Sequence, residues 1–437
     1  MEAMNRQSFR NIFGIFCLII FTGCGGDEPT NSGSESTQPN ILLIIADDMG
    51  KDATPGFTEG TIKPNTPNIN NLAASGLIFT NFWVNPTCSP TRASIITGKY
   101  GYRTGVKWAG DQLSTSETIL QKYISQQTNN AYATAVIGKW HLAGSGQGVV
   151  NPETFGMDYY AGLIGGAVQD YYQWELTENG ETSIQTEYIT KAFTDLSIDW
   201  IAEQNKPWFL WLAFNAPHTP FHVPPSEMHA QGSLPTYTQG MNVIPYYMAA
   251  IEAMDYQIGR LLESMSTSER ENTIILFLGD NGTPNQAAQS PYSSNMVKGT
   301  LYEGGINTPL FISGSGVSRI GEVDSNLITS TDLFATLAQL AGSSTAEIND
   351  SRSFKYLLSE DGQHRDFEYS EMNDGTNDLW SIRGPRYKII TNSTGTLEMY
   401  DLLEDPYESN NLLTTTLSDQ QRSAKIELES ELAVIRN

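Results

Sequence analysis

The stretch Ile41-Leu-Leu-Ile-Ile-Ala46 runs without a break into Asp47-Asp48, and three further segments repeat the design. Ala133-Thr-Ala-Val-Ile137 leads into Gly138-Lys139-Trp140-His141, and Trp208-Phe-Leu-Trp-Leu-Ala-Phe214 into Asn215-Ala216-Pro217-His218. Thr273-Ile-Ile-Leu-Phe-Leu278 leads into Gly279-Asp280-Asn281. Short continuous apolar runs of this kind read as strands buried on both faces, the pattern of a parallel sheet with helices on each side. Helical stretches between them, such as Tyr188–Glu203 and Tyr246–Met265, supply the covering layers. The expected fold class is α/β, a large and mostly parallel sheet sandwiched by helices. In such folds ligands sit outside the carboxyl ends of the strands, which puts the four polar clusters on one rim.

Farther along, the character changes. Thr331–Ala341 reads as a helix closed by Gly342, and polar material continues to about Gly362. Strand-like pieces follow at Phe367–Glu371, Trp380–Arg383, Tyr387–Thr391 and Leu397–Tyr400, separated by turns such as Arg383-Gly384-Pro385. They suit a small antiparallel sheet, and Ser418–Val434 has helical spacing. At the other end, Arg6 and Arg10 precede the ten-residue apolar run Ile12–Phe21. Spanning a bilayer takes roughly 17–25 residues, so the run suits a signal peptide. Thr22-Gly23-Cys24 then resembles a bacterial lipobox, with Phe21 where Leu is usual. An ordinary cleaved signal with an incidental Cys is the other reading. The expected organisation is a lipoprotein signal over 1–23, a flexible Gly/Ser/Pro-rich tether over 24–39, a main domain over 40–362 and a C-terminal subdomain over 363–437. The expected location is the periplasm or outer membrane, with a lipid anchor at Cys24.

Acidic residues number 49 against 25 basic ones, a formal net charge of −24. Charged residues make up only 17% of the chain, below the roughly 25% usual in soluble proteins. The acidity therefore reflects scarce Lys and Arg rather than dense acidic runs. A general nucleic-acid binder, which needs a basic face to displace counterions, is excluded. So is adhesion to anionic lipid through a polybasic patch, leaving the lipid anchor as the only expected membrane contact. With 8 Trp, 20 Tyr and 17 Phe, material for a large core is ample. Of three cysteines, Cys17 lies in the signal and Cys24 is the anchor, so Cys88 has no disulfide partner in the folded part. A lone Cys is by default a small buried hydrophobe, and its neighbourhood decides whether that default holds.

Residues 88–98 read Cys88-Ser-Pro-Thr-Arg92-Ala-Ser-Ile-Ile-Thr-Gly98 and contain Cys-x-Pro-x-Arg. Gly138-Lys-Trp-His-Leu142, Ala216-Pro-His-Thr-Pro220, Gly279-Asp-Asn-Gly282 and Lys298 followed by Glu303-Gly-Gly305 come after it. Together with Asp47-Asp48, these blocks resemble the type I sulfatases, in that family's order, from about Asn40 to Leu413. The resemblance implies an alkaline-phosphatase-like fold and hydrolysis of a sulfate ester, on a small molecule or a carbohydrate. It also implies that a formylglycine-generating maturation enzyme oxidises Cys88 to formylglycine, whose aldehyde hydrate is the nucleophile.

Asp47, Asp48, Asp280 and Asn281 offer only oxygen ligands, and no His–Cys spacing suggests zinc. Hard oxygen ligands suit Ca²⁺ or Mg²⁺, and adjacent carboxylates on a buried rim would repel unless a cation sat between them. The bland alternative is a helix cap at Asp47-Asp48 and a turn at Asp280-Asn281-Gly282. Because both pairs follow core strands, metal binding is the expectation. The family resemblance implies one Ca²⁺, with position 88 beside it.

A sulfuryl group also needs cations aimed at its oxygens in a dry site, and Arg92, Lys139 and Lys298 are the candidates. Among five His (141, 218, 222, 229 and 364), His141 and His218 match the family's two histidines. By that analogy Arg92 and the metal orient the hydrate at position 88, which attacks sulfur. His218 then protonates the departing alcohol, and His141 takes the proton whose loss expels sulfate. His222 either lines the pocket or packs in its loop, and His229 and His364 are expected at the surface. Aromatics near Trp108, Asp158–Tyr172 and Trp174 either stack on sugar faces or pack. Two departures stand out: Asn307, where many relatives have Arg, and Ala335, where Pro is common. Two competing readings remain: a phosphodiesterase or phosphonate monoester hydrolase of the same superfamily, and a non-catalytic binder of sulfated glycans.

Overall fold

In a computed structural model of the chain, residues 38–144 and 149–437 are described, and the expected signal, most of the tether and Cys24 lie outside them. Ten strands make one sheet: β1 (Asn40–Ala46), β2 (Gly76–Trp83), β3 (Ala133–Gly138), β4 (Tyr159–Gly162), β5 (Trp174–Glu178), β6 (Glu181–Gln185), β7 (Trp208–Ala213), β8 (Thr273–Gly279), β9 (Leu310–Gly314) and β10 (Glu322–Thr329). Their order is β10-β2-β9-β8-β1-β7-β3-β4-β5-β6. β1 is central and parallel to both neighbours, with Leu43 opposite Trp211 on one side and Leu276 on the other. Only β9 and β5 run against the rest.

Alternation along the buried strands feeds two cores. Ile41, Leu43 and Ile45 point into one, which the helices Cys88–Thr97, Leu120–Gln127 and Asp332–Leu340 cover. Leu42, Ile44 and Ala46 point into the other, under the helices Pro67–Ala74, Ile189–Ala202 and Ile244–Ser264. The four apolar runs read from sequence are β1, β3, β7 and β8, and their polar continuations leave the sheet at its carboxyl edge, as expected. Among the described residues no helix is long and apolar enough to cross a membrane.

After a short hairpin of β11 (Glu347–Ile348) and β12 (Ser351–Arg352), the chain builds a four-stranded antiparallel sheet. Its strands are β13 (Glu368–Asn373), β14 (Asp378–Arg383), β15 (Tyr387–Asn392) and β16 (Gly395–Asp401), in that order. The helix Asp419–Ile435 packs on it through Leu428 and Leu432, against Tyr369, Ile382 and Ile389.

A buried ion cluster joins this lobe to the main sheet. Lys388 is fully buried, with Nζ 3.1 Å from Glu303 Oε1, 2.7 Å from Glu408 Oε1 and 4.8 Å from the centre of the Trp83 ring. Burial alone would raise the Glu303 carboxyl, but Lys388 and Arg383 hold it down at about 2. Glu408 is pushed up to about 7 by burial, against Lys388 and with the help of the Glu303 charge. Two carboxyls facing one ammonium are thus driven in opposite directions, Glu303 down and Glu408 up.

That asymmetry has a sign. A carboxyl raised to about 7 contributes stability below the unfolded value of about 4.3 and loses it as pH rises through 7. Glu408→Gln should therefore gain in Tm relative to wild type as pH goes from 5 to 8. Glu303→Gln, which breaks a buried pair, should cost about 3–5 kcal/mol at both values. Thermal melts at the two pH values check this, and a pH-independent gap for Glu408→Gln would contradict it.

Candidate active site

Cys88 opens the helix Cys88–Thr97, delivered to the carboxyl edge of the sheet by β2. It is 2% exposed, and its Sγ lies 3.1 Å from His141 Nδ1. Burial pushes the thiol pKa up, so an unmodified Cys88 would sit as a neutral thiol, a poor nucleophile. Arg92 is one turn along the same helix face, and its guanidinium is completely buried. Nε and Nη2 donate to Asp280 Oδ2 at 3.1 and 2.8 Å, and Nη1 donates to the Lys139 carbonyl at 2.7 Å. Nη2 also lies 4.0 Å from Asp47 Oδ1. Arg92 therefore faces the strand ends beneath the site.

The remaining cations are matched in the same way. Lys139 Nζ donates to Asp47 Oδ2 at 2.6 Å, and Lys298 Nζ donates to Asp48 Oδ2 at 2.6 Å. Asp48 takes a left-handed backbone (φ 71°), which turns its peptide N–H to Asp280 Oδ1 at 3.1 Å. Tyr247 fixes that turn by donating its hydroxyl to the Asp48 carbonyl at 2.6 Å. Although burial works to raise it, the Asp48 carboxyl is held well below the usual range by Lys298, His218 and Lys139. Asp280 goes the other way, up to about 6, because burial and the Asp47 charge outweigh Arg92.

These residues suit a hard cation. Asp47 Oδ1 and Asn281 Oδ1 are buried and accept no hydrogen bond, a costly state for an acceptor unless something else meets its lone pairs. Asn281 cannot turn away, because its amide donates to Asp48 Oδ1 at 2.8 Å. Ligand atoms of Asp47, Cys88 and Asp280 lie within 4.8 Å of one another, as do those of Asp47, Asp48 and His218. Three carboxylates against three basic side chains already balance, so a divalent ion would leave the site positive overall and suited to an anion.

His141 also has a left-handed backbone (φ 59°), and its carbonyl accepts from Ser89 Oγ at 2.8 Å. Burial, then the Lys139 and Arg92 charges, hold its imidazole pKa far below the ordinary value, which leaves a neutral base beside position 88. The loop after β4 closes over the other side of the ring. A Cβ on Gly166 would fall 2.1 Å from His141 Nε2, so only glycine permits this approach.

His218 follows β7. Its Nδ1 lies 2.7 Å from the Thr219 carbonyl, which can only accept, so Nδ1 carries a proton. Nε2 is then left facing Asp48 Oδ2 at 3.8 Å. The Tyr171 hydroxyl braces this loop at the carbonyls of Asn215 and His218, at 2.8 and 2.6 Å.

Several open alternatives close here. His222 stacks on Tyr171 with ring centres 3.7 Å apart and meets the Tyr188 hydroxyl at 3.0 Å, so it packs in its loop. Trp174 is core, edge-on to Phe193. Trp108 stays half-buried beside Gly299, next to Lys298. The surface expectation for His364 is corrected: it is 2% exposed, with Nε2 3.2 Å from Asp332 Oδ2. His229 is half-buried. Asn307 is buried and braces Glu303 at 2.8 Å, and Ala335 is buried in its helix. Sequence reasoning missed Ser89, Tyr171, Tyr247 and Gly166. Only the glycine pair Gly165-Gly166 carried any local signal of close approach.

The sulfatase family profile matches residues 39–343, and the profile for the N-sulphoglucosamine sulphohydrolase C-terminal region matches residues 295–437. The chain belongs to the sulfatase family. It is 28% identical over 368 residues to the uncharacterized sulfatase YdeN of Escherichia coli (strain K12), covering 70% of this chain and 63% of that protein. It is 29% identical over 340 residues to arylsulfatase J of Mus musculus, covering 72% of this chain and 54% of that one. The chain thus spans between about half and two thirds of the length of these relatives. Among solved structures, BT4656 in complex with its substrate D-glucosamine-2-N,6-O-disulfate superposes with a TM-score of 0.74 at 21% identity, over 91% of this chain and 98% of that one. The fold is that of the alkaline-phosphatase-like sulfatases.

If the Gly166 approach holds the His141 ring against position 88, Gly166→Ala should displace it. A misplacement of about 1 Å costs on the order of 10²-fold in rate. Turnover of an aryl sulfate should fall by roughly that factor with little change in Tm, and unchanged turnover would refute the packing argument.

Proposed function

We propose that this protein hydrolyses sulfate esters on sulfated carbohydrates, with formylglycine formed from Cys88 as its nucleophilic residue. The observation that carries this reading is the 3.1 Å approach of Cys88 Sγ to His141 Nδ1, beside a buried set of oxygen ligands and matched cations. The hydrated aldehyde would supply an oxygen nucleophile that a buried neutral thiol does not. A Ca²⁺ ion held by Asp47, Asp48, Asp280 and Asn281 would supply positive charge for the sulfuryl oxygens. His141, kept neutral, accepts the proton of the group at position 88. His218 presents Nε2 to the leaving oxygen while the Thr219 carbonyl fixes its other nitrogen. Lys139 and Lys298 pair with Asp47 and Asp48, and Arg92 grips Asp280 beneath them.

The carbohydrate part of the reading is supported by the substrate of BT4656 and by the C-terminal profile match. Maturation then needs a formylglycine-generating enzyme. The Arg6–Cys24 segment supports export and a lipid anchor at the periplasm or outer membrane.

Peptide mass spectrometry of protein from a maturation-competent host should show the aldehyde at position 88, and active enzyme carrying only thiol would overturn that assignment. Asp280→Ala should abolish activity and lower bound metal while the fold survives; full activity after metal stripping would exclude the cation. General acid help is typically worth about 10²–10⁴-fold, most of it for basic leaving groups. His218→Ala should therefore cripple sugar sulfates more than an activated aryl sulfate, whereas His141→Ala should slow both. Matched aryl, sugar and phosphodiester substrates measure this, and preference for the phosphodiester would favour the phosphohydrolase reading.

A further inference from the structure

Ser89, the residue after Cys88, is completely buried. Its hydroxyl donates to the His141 carbonyl at 2.8 Å and accepts from the Gly110 N–H at 2.9 Å. A carbonyl can only accept and a hydroxyl carries a single proton, so the direction of both bonds is fixed. One oxygen atom thus joins three segments that are separate in sequence: the helix that opens with Cys88, the loop after β3, and the turn that carries Trp108.

The backbone of His141 depends on this contact. A left-handed backbone is uncommon in a residue with a side chain and persists only where its surroundings hold it, and His141 has φ 59°. Its peptide groups are gripped from two sides: the N–H donates to the Ile164 carbonyl at 3.1 Å, and the carbonyl accepts from Ser89. Farther on, the Leu113 N–H donates to the Leu142 carbonyl at 3.0 Å and Gln112 bridges to Ala143, so residues 110–113 run beside 141–143 and Ser89 closes the near end. Asp111 stiffens that strip, its Oδ2 accepting from the N–H groups of Lys107 and Trp108, both at 2.8 Å. Because Cys88 and Ser89 are consecutive on one helix, the bond that holds the His141 backbone also ties the ring to position 88, with Nδ1 3.1 Å from Sγ.

We propose that Ser89 is a positioning residue whose hydroxyl holds His141 in register with the group at position 88, a role that rests on the sulfatase reading above. It acts through the His141 backbone rather than on the substrate. Removing the hydroxyl leaves both reacting groups present but loosens the distance between them, so the loss falls on turnover and spares substrate binding.

Ser89→Ala and Ser89→Thr test the assignment. Residue 89 lies inside the Cys-x-Pro-x-Arg stretch, so rates are expressed per formylglycine, counted by peptide mass spectrometry. A misplacement of about 1 Å costs on the order of 10²-fold, so Ser89→Ala should lower kcat by about 10- to 100-fold and leave KM within about twofold. The factor should be the same for aryl and sugar sulfates, unlike the loss expected at His218. Ser89→Thr keeps the hydroxyl and should recover most of the rate; a Thr variant as slow as Ala would overturn the role of the hydroxyl. In a His141→Ala background, removing the hydroxyl should cost almost nothing further, whereas an equal loss in both backgrounds marks a purely structural role and would overturn the proposal. The imidazole nitrogen resonances of His141 read the same contact without turnover: they should shift in Ser89→Ala, and unchanged resonances would overturn the positioning. A wild type whose His141 resonances respond in this way yet which cleaves no sulfate ester would overturn the sulfatase reading and leave the hold of Ser89 on His141 standing.

Discussion

Everything at the carboxyl edge of the sheet depends on keeping three carboxylates together without water. Asp47, Asp48 and Asp280 are each at most 1% exposed, and unpaired anions so placed would take up protons or force the strand ends apart. The buried guanidinium of Arg92 answers that constraint from below. It grips Asp280 after β8 and the Lys139 carbonyl after β3, and lies close to Asp47 after β1. Because Arg92 shares a helix face with Cys88, the same contact sets where position 88 stands. Truncating the side chain would leave an uncompensated buried Asp280, a defect that typically costs 3–5 kcal/mol.

The C-terminal lobe acts on the same edge through a second buried cation. Lys388 lies over the Trp83 ring, at the end of the strand that leads to Cys88, and pairs with Glu303, five residues beyond Lys298. Between these, the Gly299 N–H donates to the Pro86 carbonyl at 2.8 Å. The segment that leads to Cys88 and the Lys298 segment are therefore held to each other and to the lobe. This gives Glu303-Gly-Gly305 a physical role: it is a tether that carries Lys298 to Asp48, with Asn307 bracing its carboxylate.

The two histidines differ in ways their shared chemistry does not reveal. His141 is enclosed by Gly166 and neighbouring cations, which disfavour a second proton. His218 is half-buried, sits near the Asp48 carboxylate and has its Nδ1 committed to a carbonyl. The two rings therefore differ in what surrounds them, one closed in among cations and the other held by a carbonyl near a carboxylate.

Apolar runs of five to seven residues, each ending in a polar cluster, were enough to read β1, β3, β7 and β8, because a doubly buried strand must be continuously apolar. The same runs placed Asp47, Asp48, Lys139, His141, His218, Asp280 and Asn281 on one rim, since parallel strands all present their carboxyl ends to the same side. Periodicity likewise located the C-terminal sheet and its helix. The reversal of β9, the insertion of β2 beside it and the polar edge β4 to β6 left no comparable trace, because such strands are short or half-exposed. Only the tertiary structure decided that Arg92 faces carboxylates, that His222 and Trp174 pack, that His364 is buried, and that Gly166 closes over His141. Those contacts join residues dozens to hundreds of positions apart, and strand order, which local hydrophobic patterning does not encode, determines which of them meet.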